Sequence, residues 1–152
     1  MAKKNGIVQQ VQGITFAARA DSGHWVMMDG GPTFGGSNAA STPKELLLLA
    51  LGGCTGSDVI PILKKKGTPV ERFEIRLSGT VRDEHPQIFT DIHIEYVFEG
   101  TNIDPQDVER AIELSTTKYC SISAMLHPTV RITHSYRIES PRSVRTTEPA
   151  LP

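Results

Sequence analysis

The sequence predicts an α+β fold in which antiparallel strands are covered by helices. Three observations carry this. Residues 73–81 and 92–98 alternate apolar and polar side chains on either side of a turn, residues 42–66 form one long apolar helical run with marked ends, and short strand-like segments precede that run. A chain of 152 residues is the size of one domain. Folding buries roughly two-thirds of the unfolded surface at that size, so no covalent staple is required.

In chain order, Ile7 to Val11, Ile14 to Ala18 and His24 to Asp29 have strand character. Gly13 and the turn Asp21-Ser22-Gly23 separate them, which predicts an antiparallel meander. The glycine-rich stretch 30–38 lacks the spacing of a phosphate loop, and no Gly-Lys-Ser/Thr follows it, so it reads as a connecting loop.

The central helix follows. Thr42 caps its N-terminus, Pro43 suits the first helical position, and Glu45 completes a capping box with Thr42. Leu46, Leu47, Leu48, Leu49 and Leu51 make the first turns apolar all round, which predicts a helix buried on most sides. Gly52, Gly53 and Gly56 invite close approach of another backbone beside Cys54 and leave that thiol in a crevice. Pro61 predicts a kink, and Lys64, Lys65, Lys66 and Gly67 end the helix.

Beyond it, the two alternating segments form a long hairpin with one apolar face that helices must cover. Asp104-Pro105 opens a second helix with Val108, Ala111, Ile112 and Ser115 on one stripe, which places Cys120 at a helix end. A further helical turn over 121–126 and a last strand over 130–138 complete a single domain of residues 1–138. Residues 139–152, with Pro141, Pro149 and Pro152 and few apolar side chains, read as a flexible tail.

Lys plus Arg (16) nearly balances Asp plus Glu (17), which gives no support for a nucleic-acid or acidic-membrane partner. The N-terminus lacks a signal-like apolar run, and the Leu46 to Leu51 run is too short to span a bilayer. A cytoplasmic chain with reduced thiols is expected, and any disulfide between its two cysteines would be catalytic or redox-sensing. The five histidines are scattered, without Cys-x-x-Cys or His-x-x-x-His spacing, so no metal is expected. The absence of a Gly-x-Ser-x-Gly elbow argues against a serine hydrolase.

Pro43-x-Glu45-Leu46-Leu47, then Ala50-Leu51-Gly52-Gly53-Cys54-Thr55, a long hairpin, and Lys118-Tyr119-Cys120-Ser121 after a helix resemble the OsmC/Ohr family, the osmotically inducible and organic hydroperoxide resistance proteins. The resemblance covers roughly residues 14–138. It implies an OsmC-like intertwined homodimer, antiparallel sheets wrapped around central helices, with thiol sites at the subunit interface. It further implies a cysteine-based peroxidase acting on organic hydroperoxides in oxidative stress defence, regenerated by a dithiol reductant and using no bound cofactor. In those roles Cys54 attacks the peroxide, forming a sulfenic acid, and Cys120 resolves it to a disulfide.

A thiol about twelve residues inside its helix gains nothing from the N-terminal dipole and needs a fixed cation. Arg19 sits about where the family's site arginine is found, with Arg82 at the hairpin tip as a second candidate. The family's catalytic carboxylate directly follows the proline in the peroxidase branch, whereas here Lys44 takes that position and Glu45 comes one later. At about 100° per residue, Glu45 and Cys54 point to opposite sides of a straight helix. Glu45 therefore reaches a thiol only through distortion or in a partner subunit, and otherwise serves the cap. Ser121, where peroxidases carry proline, also places the chain nearer the OsmC-like relatives. The alternative function is a non-catalytic thiol redox sensor or small-ligand-binding protein.

Overall fold

Side-chain alternation and glycine turns account for most of the elements in the computed structural model, which describes residues 1–141. The tail expected over 139–152 lies, from residue 142 onward, outside the described residues. The chain divides into two units, residues 1–49 and the residues from Ala50 onward.

In the first unit, β1 (Gly6–Gln12), β2 (Thr15–Ala20) and β3 (Trp25–Met28) form an antiparallel sheet in the order β1-β2-β3, the expected meander. Gly23 takes φ +79°, a left-handed conformation that a side chain would strain, and this lets the chain turn from β2 to β3. The glycine-rich loop after β3 is organised by Asp29, which is 1% exposed. Its carboxylate accepts from the N–H groups of Gly30, Ser37 and Ala39 and from Ser37 Oγ at 2.7–3.1 Å. These bonds, that from Ala39 foremost, hold the carboxyl well below the usual range. The loop is thus a connection clamped on one buried acid.

Helix α1 (Pro43–Lys66) begins as its sequence dictates and contains Pro61. Glu45 Oε2 accepts the Thr42 N–H at 2.7 Å, and Thr42 Oγ1 accepts the Glu45 N–H at 3.2 Å, closing the capping box. Three lysines and Gly67, at φ +80°, terminate it. The expectation that its first turns are buried on most sides is corrected, because Leu47 and Leu49 are 40% and 56% exposed. One chain does not cover that part of the helix. By length and composition alone α1 is long and apolar enough to cross a membrane. Its later turns nevertheless bury Leu51, Val59 and Leu63 almost completely.

In the second unit β4 (Arg72–Val81) and β5 (Phe89–Glu99) pair antiparallel as the long hairpin, and β6 (Arg131–Glu139) joins β5. That last pairing is parallel, a correction to a wholly antiparallel sheet. The reason lies in the connection, since α2 (Pro105–Leu114) and α3 (Ser121–Leu126) carry the chain back to the end where β5 began. Tyr96, Phe98, Ile92 and Ile94 of β5 are 0–1% exposed and form the centre of the core with Val108 and Ala111 of α2, which are fully buried. The glycines of α1 make room for side chains of β4 here, where a backbone was expected. A Cβ at Gly52 would meet Leu77 Cδ1 at 2.6 Å, and one at Gly56 would meet Ile75 Cδ1 at 3.0 Å.

Candidate thiol site

Cys54 sits half-buried on α1, one turn ahead of Asp58. The second cysteine is delivered by a change of helical pitch. The hydroxyls of Thr116 and Thr117 both donate to the Glu113 carbonyl, at 3.0 and 2.7 Å, and the residues Ser115–Tyr119 widen into a π-helical turn. Cys120 closes that turn by donating its N–H to Ser115 O at 2.8 Å. Its sulfur then caps α3, accepting the Ser123 N–H at 3.4 Å.

Cys54 Sγ, Cys120 Sγ and a carboxylate oxygen of Asp58 consequently lie within 4.8 Å of one another. A disulfide needs its sulfurs at about 2.05 Å, so the two thiols must draw together before they can bond. Among the described residues these three are donors of metal-binding type, one fewer than a structural zinc site has and equal in number to the protein ligands of a catalytic one.

The two thiols are not equivalent. Burial pushes the Cys54 thiol up, but hydrogen bonds from the Ile122 N–H, Cys120 and Ser121 outweigh it and bring the thiol below its ordinary value, against the opposing charge of Asp58. All of these donors are neutral. Cys120 is 3% exposed, and burial raises its thiol above the ordinary value despite hydrogen bonds from Ser123. Alkylation by iodoacetamide should therefore modify Cys54 first. Its rate should have a pH midpoint below that of a free thiol, near 8.5, and that of Cys120 should lie above it. Peptide mapping across a pH series reads both midpoints, and the reverse order would contradict this electrostatic account.

Behind the thiols runs a buried chain of polar groups. Ser115 Oγ donates to Asp58 Oδ2 at 2.9 Å. It lies 3.0 Å from Thr55 Oγ1, which lies 2.7 Å from the Tyr96 hydroxyl, itself 3.3 Å from His134 Nδ1. Each hydroxyl owns one proton, and Asp58 as a carboxylate only accepts. Ser115 spends its proton on Asp58, so Thr55 donates to Ser115, Tyr96 donates to Thr55, and His134 donates from Nδ1 to Tyr96. Proton counting thus assigns the histidine tautomer. Burial, with His93 adding to it, lowers the His134 pKa and favours the neutral ring, in which the proton donated to Tyr96 sits on Nδ1, while burial pushes the Tyr96 phenol up to about 12.

The remaining residues singled out by sequence have other neighbours. Arg19 lies in the first unit, cross-strand from Trp25, with its guanidinium carbon 5.1 Å from the ring centroid. Arg82 donates from Nε to Pro86 O at 2.5 Å inside the hairpin turn. Glu45 is engaged in its capping box. Asp58, Thr55, Ser115, Tyr96 and His134 were missed as a group. Their partial signals are the place of Asp58 four residues past Cys54 on the same helix face, that of Ser115 on the α2 stripe and that of Tyr96 on the apolar face of β5.

A family model described as OsmC-like protein matches residues 35–135. Protein YhfA of Escherichia coli K12 is 39% identical over 131 residues, covering 86% of this chain and 95% of the relative. The crystal structure of a hypothetical protein from Aquifex aeolicus is 33% identical, covers 93% of this chain and all of its own, and superposes with a TM-score of 0.82. At 12% identity, an organic hydroperoxide resistance protein from Legionella pneumophila shares the fold with a TM-score of 0.68, over 90% of this chain and 97% of its own.

Proposed function

We propose that this chain, which belongs to the OsmC-like protein family, is a cysteine-based peroxidase that reduces organic hydroperoxides. The observation that carries this reading is the meeting of two free cysteines of opposite electrostatic bias, with their sulfurs within 4.8 Å. In this reading the Cys54 thiolate attacks the distal peroxide oxygen, leaving a sulfenic acid and releasing an alcohol. Cys120 then displaces water from the sulfenic sulfur to form the disulfide, and a cytoplasmic dithiol reduces it. The likeness to the hydroperoxide resistance protein of Legionella pneumophila adds support at the level of fold.

The donors around Cys54 are neutral, and a thiolate is held more strongly by a charge-assisted bond. Arg19 is the cation proposed for that role. Glu45 is left to its cap and enters the site only from a partner subunit. Arg19→Ala should lower dithiol-dependent kcat/KM for an organic hydroperoxide at least tenfold, about 1.4 kcal/mol of transition-state stabilisation. Unchanged activity would remove Arg19 from the site. Wild-type protein without turnover would overturn the peroxidase reading in favour of a redox sensor or small-ligand binder, a role that Lys44 in place of the branch's carboxylate also suits.

The working form is proposed to be a homodimer. Leu47, Leu49, Val8, Val11, Trp25 and Val26 are 40–60% exposed, a large apolar surface for a lone chain. Sedimentation at micromolar concentration should give twice the chain mass. A stable folded monomer would refute this.

A further inference from the structure

Disulfide closure requires a group that takes the Cys120 proton as its sulfur attacks Cys54 and passes it to the departing hydroxide. The Cys120 sulfur is buried and its thiol biased towards the protonated form. A carboxylate oxygen of Asp58 lies within 4.8 Å of both sulfurs, a gap that one water can bridge. The Asp58 carboxylate is fixed from behind by Ser115 Oγ at 2.9 Å, and the one-directional chain through Thr55, Tyr96 and His134 points every proton towards it. Donor bonds in series polarise one another and hold the accepting group at their end in one orientation. The far end, His134, lines a crevice of about 190 Å³ with Thr116, Thr117, Ser123, His127 and Ile132.

We infer that Asp58 is the general base of disulfide closure, and that Ser115, Thr55, Tyr96 and His134 are the positioning residues that hold it. In that step the Cys120 proton passes to Asp58 as Cys120 Sγ bonds to Cys54 Sγ. The S–O bond of the sulfenic acid breaks, and the departing hydroxide takes the proton from Asp58 to leave as water. Two sulfurs are joined, the oxygen leaves at the oxidation level of water, and Asp58 is restored. The groups facing this step are Cys54 from α1, Tyr96 from β5 and, beyond Tyr96, His134 of β6 with His93 acting on it.

This inference rests on the thiol-disulfide part of the proposed function, and its test needs no peroxide. A nitrobenzoate aromatic disulfide releases one coloured thiolate when Cys54 attacks it and a second when Cys120 displaces the other half from Cys54. Asp58→Asn keeps an acceptor for Ser115 and removes a negative charge that opposes the Cys54 thiolate. First release should therefore be as fast as in wild type or faster. Second release should be slowed tenfold or more at neutral pH, the deficit vanishing as pH rises to where Cys120 ionises unaided. In wild type the second rate should be flat between about pH 6 and 8, where an unassisted thiol would gain about tenfold per unit. Closure in Asp58→Asn at the wild-type rate, a deficit equal at every pH, or a wild-type rate that climbs tenfold per unit would each overturn the inference. Should wild type exchange in this way and yet consume no organic hydroperoxide, the peroxidase reading fails and the role of Asp58 stands.

Discussion

Replacing Cys54 by serine is expected to lower dithiol-dependent hydroperoxide reduction at least a thousandfold, about 4 kcal/mol of activation free energy. A serine hydroxyl is a far weaker acid than a thiol, so donors that suffice to lower the Cys54 thiol leave the hydroxyl protonated and unreactive. The companion Cys120→Ser separates the two halves of the cycle. It should retain one equivalent of oxidation, trapped at Cys54 as a sulfenic acid by a nucleophilic probe, and stop multiple turnover. Mass spectrometry and peroxide consumption together read the pair. Probe found on Cys120 of wild type instead would reverse the attacking and resolving roles, and appreciable turnover by Cys54→Ser would exclude Cys54 from the chemistry.

The parts of this site that were legible in the sequence are those set by local geometry. The capping box of Thr42 and Glu45 requires only three-residue spacing, and the stripe of Val108, Ala111, Ile112 and Ser115 requires only the helical period, so both appear in the structure as read. Cys120 at a helix end is likewise local. That its sulfur becomes the cap of α3 depends on the π turn, which two adjacent threonines sharing one carbonyl make plausible only after the fact. Meeting of the two cysteines is a product of topology. Neither cysteine's surroundings in sequence reveal that β6 returns parallel to β5 and that the crossover between those strands carries Cys120 to α1. Tyr96 shows the same limit most clearly. Alternation places it on the apolar face of β5, correctly, but its hydroxyl finds Thr55 and His134 from two other elements. A β-strand pattern reports which side is buried and says nothing of which polar atom waits there.

That buried hydroxyl leads to the largest expected effect on stability, from Thr55→Val. Thr55, Tyr96 and Ser115 are each 0% exposed, so no solvent replaces a lost partner. Valine matches threonine in shape but withdraws the oxygen that accepts from Tyr96 and the proton that Ser115 receives. Each buried group left short of a partner costs about 1–3 kcal/mol. Tyr96 recovers part of this by turning its proton towards His134 Nδ1, at 3.3 Å, if that ring changes tautomer. A net loss of about 2–4 kcal/mol is expected, read from denaturant midpoints at fixed protein concentration. Tyr96→Phe removes the same bond from its other end while keeping the ring stacked between Phe98 and His134, with centroids 6.4 and 6.0 Å away. The double variant should accordingly cost less than the sum of the singles, by about 1 kcal/mol. Strict additivity would mean that Thr55 and Tyr96 are not coupled in solution, and the polar chain behind the thiols would then lose its central link.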